Sequence, residues 1–119
     1  MGVFTIRVTV FNLREEGQSR EVEMTVDSGA TYPVIPRDVV RELGIRPASR
    51  LTFTLADGRR IERELAQAGV AYDGRSAACM VVIGEEDDVP LLGAHALEGL
   101  GLEVDSVGKT LRPATQYLL

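Results

Sequence analysis

The chain has 119 residues, 45% of them apolar, 26% charged and 5% aromatic, with one Cys, one His and no Trp. That length suits one domain over residues 1–119 whose core needs no disulfide or metal staple, and a lone Cys with a lone His excludes an internal disulfide and a Cys/His zinc site. A net charge of −5 opposes nonspecific attraction to nucleic acid or to an anionic membrane.

The N-terminal apolar run over residues 1–11 is too short to span a bilayer and carries Arg7. It lacks the basic start and cleavage site of a secretory signal. Gly2 does not open a myristoylation motif, because Ile6 stands where Ser or Thr is needed. The expectation is a soluble cytoplasmic protein.

Period-two alternation then dominates. Phe4, Ile6, Val8 and Val10 share one face of a strand, with Thr5, Arg7 and Thr9 on the other. After a turn at Glu15-Glu16-Gly17, Val22, Met24 and Val26 alternate with Glu21, Glu23 and Thr25 in a second strand that runs into Asp27. Pro36 opens a short helix that stops before Gly44. Leu51, Phe53 and Leu55 make a third strand, ending at Ala56-Asp57-Gly58-Arg59. Asp-Gly between alternating runs is a hairpin signal, since Gly accepts the positive φ of such turns. A second one, Asp73-Gly74, joins residues 70–72 to the apolar run 77–83. A second short helix covers residues 94–98, and residues 102–111 form a last hairpin closed by Pro113. The fold class is all-β with one or two short helices.

The chemically informative stretch is Val26-Asp27-Ser28-Gly29-Ala30-Thr31. A carboxylate at a strand end, followed by small residues, lets another backbone approach it closely. Taken alone, the same residues also describe a plain turn in which Asp27 caps the next amides.

The order of motifs settles the expectation. Asp27-Ser28-Gly29-Ala30, then Val34-Ile35-Pro36 and a short helix, then Leu91-Leu92-Gly93, a second helix and a final hairpin resemble the retropepsin-like (retroviral-type) aspartic proteases, above all their prokaryotic members. The resemblance runs from about residue 3 to residue 111 and extends to the retropepsin-like domain of ubiquitin-shuttle proteins. It implies an acid-protease β-barrel and makes Asp27 the catalytic residue of each subunit. Peptide hydrolysis by this route needs two carboxylates around one water, one to take its proton and one to polarise the carbonyl. The chain has a single Asp-Ser/Thr-Gly, because Asp57-Gly58 and Asp73-Gly74 lack the middle residue and Asp105-Ser106-Val107 lacks the Gly. The expected enzyme is therefore a homodimer whose two Asp27 carboxylates share one proton and titrate as a pair.

By the same resemblance, Ser28 braces the two active-site loops across the dimer, and Gly29 and Ala30 border the bound peptide. Leu91-Leu92-Gly93 packs beneath the catalytic loop. The hairpin over residues 51–65 is the flap, touching substrate through its tip, Asp57 and Gly58. The substrate is an extended polypeptide, and no metal or organic cofactor is implied. Viral members often pair an Asp soon after Gly-Ala with an Arg beyond the apolar-apolar-Gly triplet; here Thr31 and Ala94 stand in those places. The flap tip is charged, with Asp57, Arg59 and Arg60, and the C-terminal hairpin points to dimerisation of the shuttle-protein type.

Two rival readings keep the same strands: a non-catalytic dimerisation or peptide-binding module, and a monomeric β domain with Asp27 as a turn cap. Other signals carry less. Gly108-Lys109-Thr110 lacks the upstream Gly of a phosphate loop. His95 reads as a helix-surface residue and Cys79 as a buried, inert thiol. Glu85-Glu86-Asp87-Asp88 lacks calcium-loop spacing and reads as a solvated loop.

Overall fold

The computed structural model describes residues 3–15, 17–105 and 107–118. Met1, Gly2, Glu16 of the first expected turn, Ser106 of the last and Leu119 lie outside the described residues.

Strand β1 (Phe4–Phe11) pairs antiparallel with β2 (Ser19–Val26), from Phe4 opposite Val26 to Phe11 opposite Ser19. The alternation places Val8 and Val10 beside Val22, Met24 and Val26 in the core and leaves Arg7, Glu21 and Glu23 outside. Next come β3 (Val34–Pro36) and helix α1 (Arg37–Glu42), which Pro36 starts in extended geometry and Gly44 follows at positive φ. Then follow β4 (Pro47–Thr54), β5 (Arg60–Tyr72), β6 (Arg75–Gly84), β7 (Leu91–Leu92), α2 (Ala94–Leu100), β8 (Leu102–Asp105) and β9 (Thr110–Pro113).

Seven strands form one sheet in the order β1-β2-β7-β3-β6-β5-β4. Thr9, Val10 and Phe11 of β1 also pair with Ala71, Val70 and Gly69 of β5, so six of the strands close into a ring and β4 is left outside it. This is a β-barrel. Strand β5 makes both the closure and the projection. Its first half carries β4 as a hairpin, and its second half pairs with β6 as far as Tyr72 opposite Arg75. The Asp73-Gly74 turn between β5 and β6 holds both residues at positive φ, 50° and 78°, as an Asp-Gly hairpin requires.

Several elements differ from the sequence expectation. Strand β4 begins at Pro47, not Leu51, across an irregularity between Pro47 and Ser49. Residues 47–50 are exposed on both faces, so no apolar alternation marks them. Strands β3 and β7 are too short for periodicity to show. Helix α2 continues to Leu100 and stops where Gly101 takes a left-handed φ of 70°.

Helix α1 buries Val39 and Val40, and α2 buries Ala96, Leu97 and Leu100, capping the barrel core. Asn12 is buried at the end of β1. Its amide donates to the Leu43 carbonyl at 2.8 Å, and its oxygen accepts from the Arg14 and Glu15 amides at 2.8 and 3.3 Å. Strands β8 and β9 pair as a separate ribbon whose Val104 and Leu111 rest on the core. No helix of the described residues is long and apolar enough to cross a membrane.

Candidate active site

Strand β2 delivers Asp27, and β7 fixes its position. The two strands run parallel, Thr25 beside Leu91 and Val26 beside Leu92. The Thr25 amide donates to the Pro90 carbonyl at 3.0 Å, and the Asp27 amide to the Leu92 carbonyl at 3.2 Å. The chain then turns sharply, the Ala30 amide bonding the Asp27 carbonyl at 3.1 Å.

The Gly29 amide donates to Asp27 Oδ1 at 3.0 Å, so the turn-capping bond foreseen for Asp27 is present. It occupies one oxygen only. Among the described residues Oδ2 has no hydrogen-bond partner, and no ion pair involves the half-buried carboxylate. Ser28 and Gly29 are exposed beside it and Ala30 is half-buried, so the four expected residues meet in one turn.

The loop is held from below. The Ala94 amide donates to the Ala30 carbonyl at 2.7 Å, and the His95 amide to the Thr31 carbonyl at 2.9 Å. Gly93 has no space for a side chain: a Cβ there would lie 2.7 Å from the Ala30 oxygen and 2.8 Å from the Tyr32 oxygen. The Leu91-Leu92-Gly93 triplet thus packs under the Asp27 loop as expected.

The hairpin β4–β5 contains residues 51–65, which the resemblance reads as a flap. Phe53 stands opposite Ile61 and Leu51 opposite Arg63, and opposite residues share a face. That face turns towards the Asp27 loop, because the Phe53 ring meets the Tyr32 ring edge-on at 6.2 Å. Asp57 and Gly58 are exposed at the tip, where the Leu55 amide bonds the Arg59 carbonyl at 2.8 Å. Asp57 is engaged by its neighbour: the Arg59 amide and Nε donate to its two oxygens at 3.0 and 2.7 Å. Those bonds hold its carboxyl below the usual carboxylate range. Among the described residues no hydrogen bond joins this tip to the Asp27 turn; Phe53 makes the contact lower down.

A family of sequences described as "gag-polyprotein putative aspartyl protease" matches residues 15–99, which include the Asp27 turn, the hairpin and the Leu-Leu-Gly support. The chain belongs to this aspartyl protease family.

Solved structures agree on the fold. The EIAV protease, complexed with the inhibitor HBY-793, superposes with a TM-score of 0.69 at 17% identity, covering 87% of this chain and 93% of that one. The simian foamy virus (mac) protease gives 0.56 at 17% identity over 80% of this chain and 92% of that one. A retropepsin-like aspartic protease from Rickettsia conorii gives 0.52 at 16% identity over 87% and 86%. No curated protein sequence matches the chain. It is a retropepsin-like aspartic protease by family and by fold.

Sequence reasoning missed several residues of this protease site. Tyr32 links the Asp27 loop to the hairpin through Phe53, and it also meets the exposed His95 ring edge-on at 5.0 Å. Alternation put Phe53 on a strand face, but nothing in the sequence identified its partner. The acidic run lies on the exposed loop foreseen for it, yet two of its carboxylates are occupied. Glu85 pairs with Arg37 at 2.8 Å, and Asp88 takes a fork of bonds from Arg63. Cys79 is half-buried, and burial pushes its thiol up to about 11, so it is inert at neutral pH as expected.

Proposed function

We propose that the chain is an aspartic endopeptidase completed by a second copy of itself, each subunit supplying one Asp27. The observation that carries this reading is the state of Asp27: one oxygen fixed by the Gly29 amide, the other unpartnered among the described residues, on a loop clamped by β7 and α2. A rigid, half-free carboxylate suits proton transfer, but one alone cannot both activate water and protonate the carbonyl oxygen.

Two such groups facing each other cannot both ionise cheaply, so the pair holds one proton. The ionised Asp27 takes a proton from a water lying between them, and that water's oxygen bonds the peptide carbon. The protonated Asp27 gives its proton to the carbonyl oxygen, forming a gem-diol. Collapse of the gem-diol breaks the C–N bond as the protonated Asp27 gives its proton to the leaving nitrogen and the ionised Asp27 takes the proton of a gem-diol hydroxyl, re-forming the C=O bond. The pair then again holds one proton.

Around this dyad, Ser28 is exposed where it can brace the partner loop, and the Gly29 and Ala30 backbone borders the peptide. An extended polypeptide lies between that floor and the hairpin, with Asp57 and Gly58 over it, held chiefly through its backbone. The β8–β9 ribbon, separate from the barrel sheet, supports dimer contact through the C-terminal hairpin. Residues 1–119 form one domain on this reading. The non-catalytic peptide-binding alternative draws on the Asp57–Arg59 pair, which gives the tip a charged surface.

The test incubates the purified chain with a diverse peptide mixture from about pH 4 to about pH 7 and reads cleavage by mass spectrometry, with Asp27→Asn as control. Cleavage by the parent alone is expected. Equal cleavage by the variant overturns the assignment of Asp27. A folded, dimeric parent that binds peptides without cutting them establishes the binding module.

A further inference from the structure

We propose that Arg63 and Asp88 are a positioning pair that sets how the β4–β5 hairpin stands over the Asp27 turn and fixes where the hairpin bends. The inference rests on the protease reading above for its catalytic consequence, and on geometry alone for the hinge.

Arg63 lies on the same face of the hairpin as Phe53 and Ile61, since it stands opposite Leu51. Its Nε and Nη2 donate to Asp88 Oδ2 and Oδ1 at 2.7 and 3.1 Å. The two side chains are 18% and 24% exposed, the least exposed ion pair among the described residues, so solvent screens it less than the others. A two-bond guanidinium–carboxylate fork also fixes orientation, which one contact does not.

Asp88 is itself held. Its Oδ2 accepts from the Glu85 amide at 2.7 Å, and its own amide donates to the Glu85 carbonyl at 2.9 Å. Two residues later the Pro90 carbonyl accepts from Thr25, and two further on the Leu92 carbonyl accepts from Asp27. The short segment from Val89 to Leu92 therefore joins the anchor of the hairpin to the strand that carries Asp27. A second tie flanks the first: Arg37 bonds Glu64, the neighbour of Arg63, at 3.0 Å and Glu85 at 2.8 Å.

Beyond Arg63 the hairpin is held differently. The Arg50–Glu62 pair, which straddles the Leu51–Arg63 rung within the hairpin, is 58% and 63% exposed, and past that rung the Phe53–Tyr32 ring contact is the tie to the floor. The clamp at Arg63 is the stronger of the two attachments, so the segment beyond it swings when the ring contact breaks. Arg63 is then the pivot of the hairpin, and Phe53 lies in the part that opens and closes on a peptide.

The experiment measures backbone amide exchange by mass spectrometry on the full chain, with steady-state cleavage of one peptide identified in the mixture. The variants are Arg63→Met, Arg63→Lys and the double variant Arg63→Met/Asp88→Asn. For Arg63→Met, exchange in residues 51–65 is expected to rise by about tenfold, β1 and β2 staying at parent rates. KM is expected to rise several-fold with kcat changed less, because the hairpin must be held down on the substrate and does not touch the reacting atoms. Arg63→Lys keeps the charge without the fork and should fall between parent and Met. The double variant should stay loose, since removing the orphaned carboxylate does not restore the tie.

Parent-like exchange in residues 51–65, a loss of protection spread evenly over the barrel, or parent-like protection in the double variant each overturns the clamp. A local rise without any change in KM overturns its role in positioning. If the parent cuts no peptide, the protease reading fails, and the exchange pattern still decides whether Arg63 is the pivot.

Discussion

Asp27 keeps its turn through a bond that Asn can also make, since Oδ1 only accepts from the Gly29 amide and an amide oxygen accepts too. Asp27→Asn should therefore leave the melting temperature near the parent value while cleavage falls by about a thousandfold or more. Thermal unfolding read beside the peptide assay checks both halves. Gly93 makes the opposite case, because a side chain there meets two backbone oxygens that cannot swing away. Gly93→Ala should lower stability by about 1–3 kcal/mol in urea unfolding, and activity with it, by pushing the Asp27 loop off its support. Asp88 carries a pH signature. The Arg63 hydrogen bonds, helped by the Glu85 amide, hold its carboxyl below the usual range. A carboxyl with a lower pKa folded than unfolded adds stability that is complete above the unfolded value, about 4, and is lost as pH falls through the folded value. The parent should thus lose more stability than Asp88→Asn on going from about pH 5 to about pH 2, as denaturant midpoints across that range would show.

Among the elements, α1 and the end of β1 are joined by one buried side chain. Asn12 satisfies the Leu43 carbonyl at the end of α1 and two amides after β1, so three backbone groups depend on it. Asn12→Ala should cost about 1–3 kcal/mol, visible as a lower urea midpoint at unchanged slope. The strand faces around it were legible in the sequence, as Val8, Val10, Val22 and Met24 alternate cleanly and are buried. Asn12 was not, since an Asn after a strand looks like any turn residue until the helix end lies against it. The short strands β3 and β7 were hidden for a related reason. Val34-Ile35 and Leu91-Leu92 pair with each other and with strands far along the chain, and two or three residues contain no period.

For the whole molecule, the proposal of one reacting carboxylate per chain has a quantitative consequence. Mixing parent with an equal amount of Asp27→Asn, after dissociation and reassociation, should leave about one quarter of the dimers with two Asp27 groups. Activity at constant total protein should then fall to about one quarter of the parent value, whereas a catalytic monomer would keep about one half. A titration of variant into parent, with sedimentation to confirm exchange of subunits, separates the two curves. Ser28→Ala tests the same assembly from the side of the brace: the dimer should weaken or the rate fall, and neither change would mean that Ser28 does not reach its mate.

The Leu91-Leu92-Gly93 support beneath the Asp27 turn came only from the family resemblance, whereas the strand faces, the Asp-Gly turns, the two helices and the turn Asp27-Ser28-Gly29-Ala30 could be read along the chain. These depend on side-chain period, turn chemistry and residue size, all local properties written along the chain. Tertiary structure alone decided that β1 meets β5 to close the barrel and that Tyr32 lies against Phe53. It likewise decided that Arg63 finds Asp88, 25 residues away. Each is a contact between side chains or edges distant in sequence, and the choice of partner among several arginines and acids follows from where the folded backbone puts them.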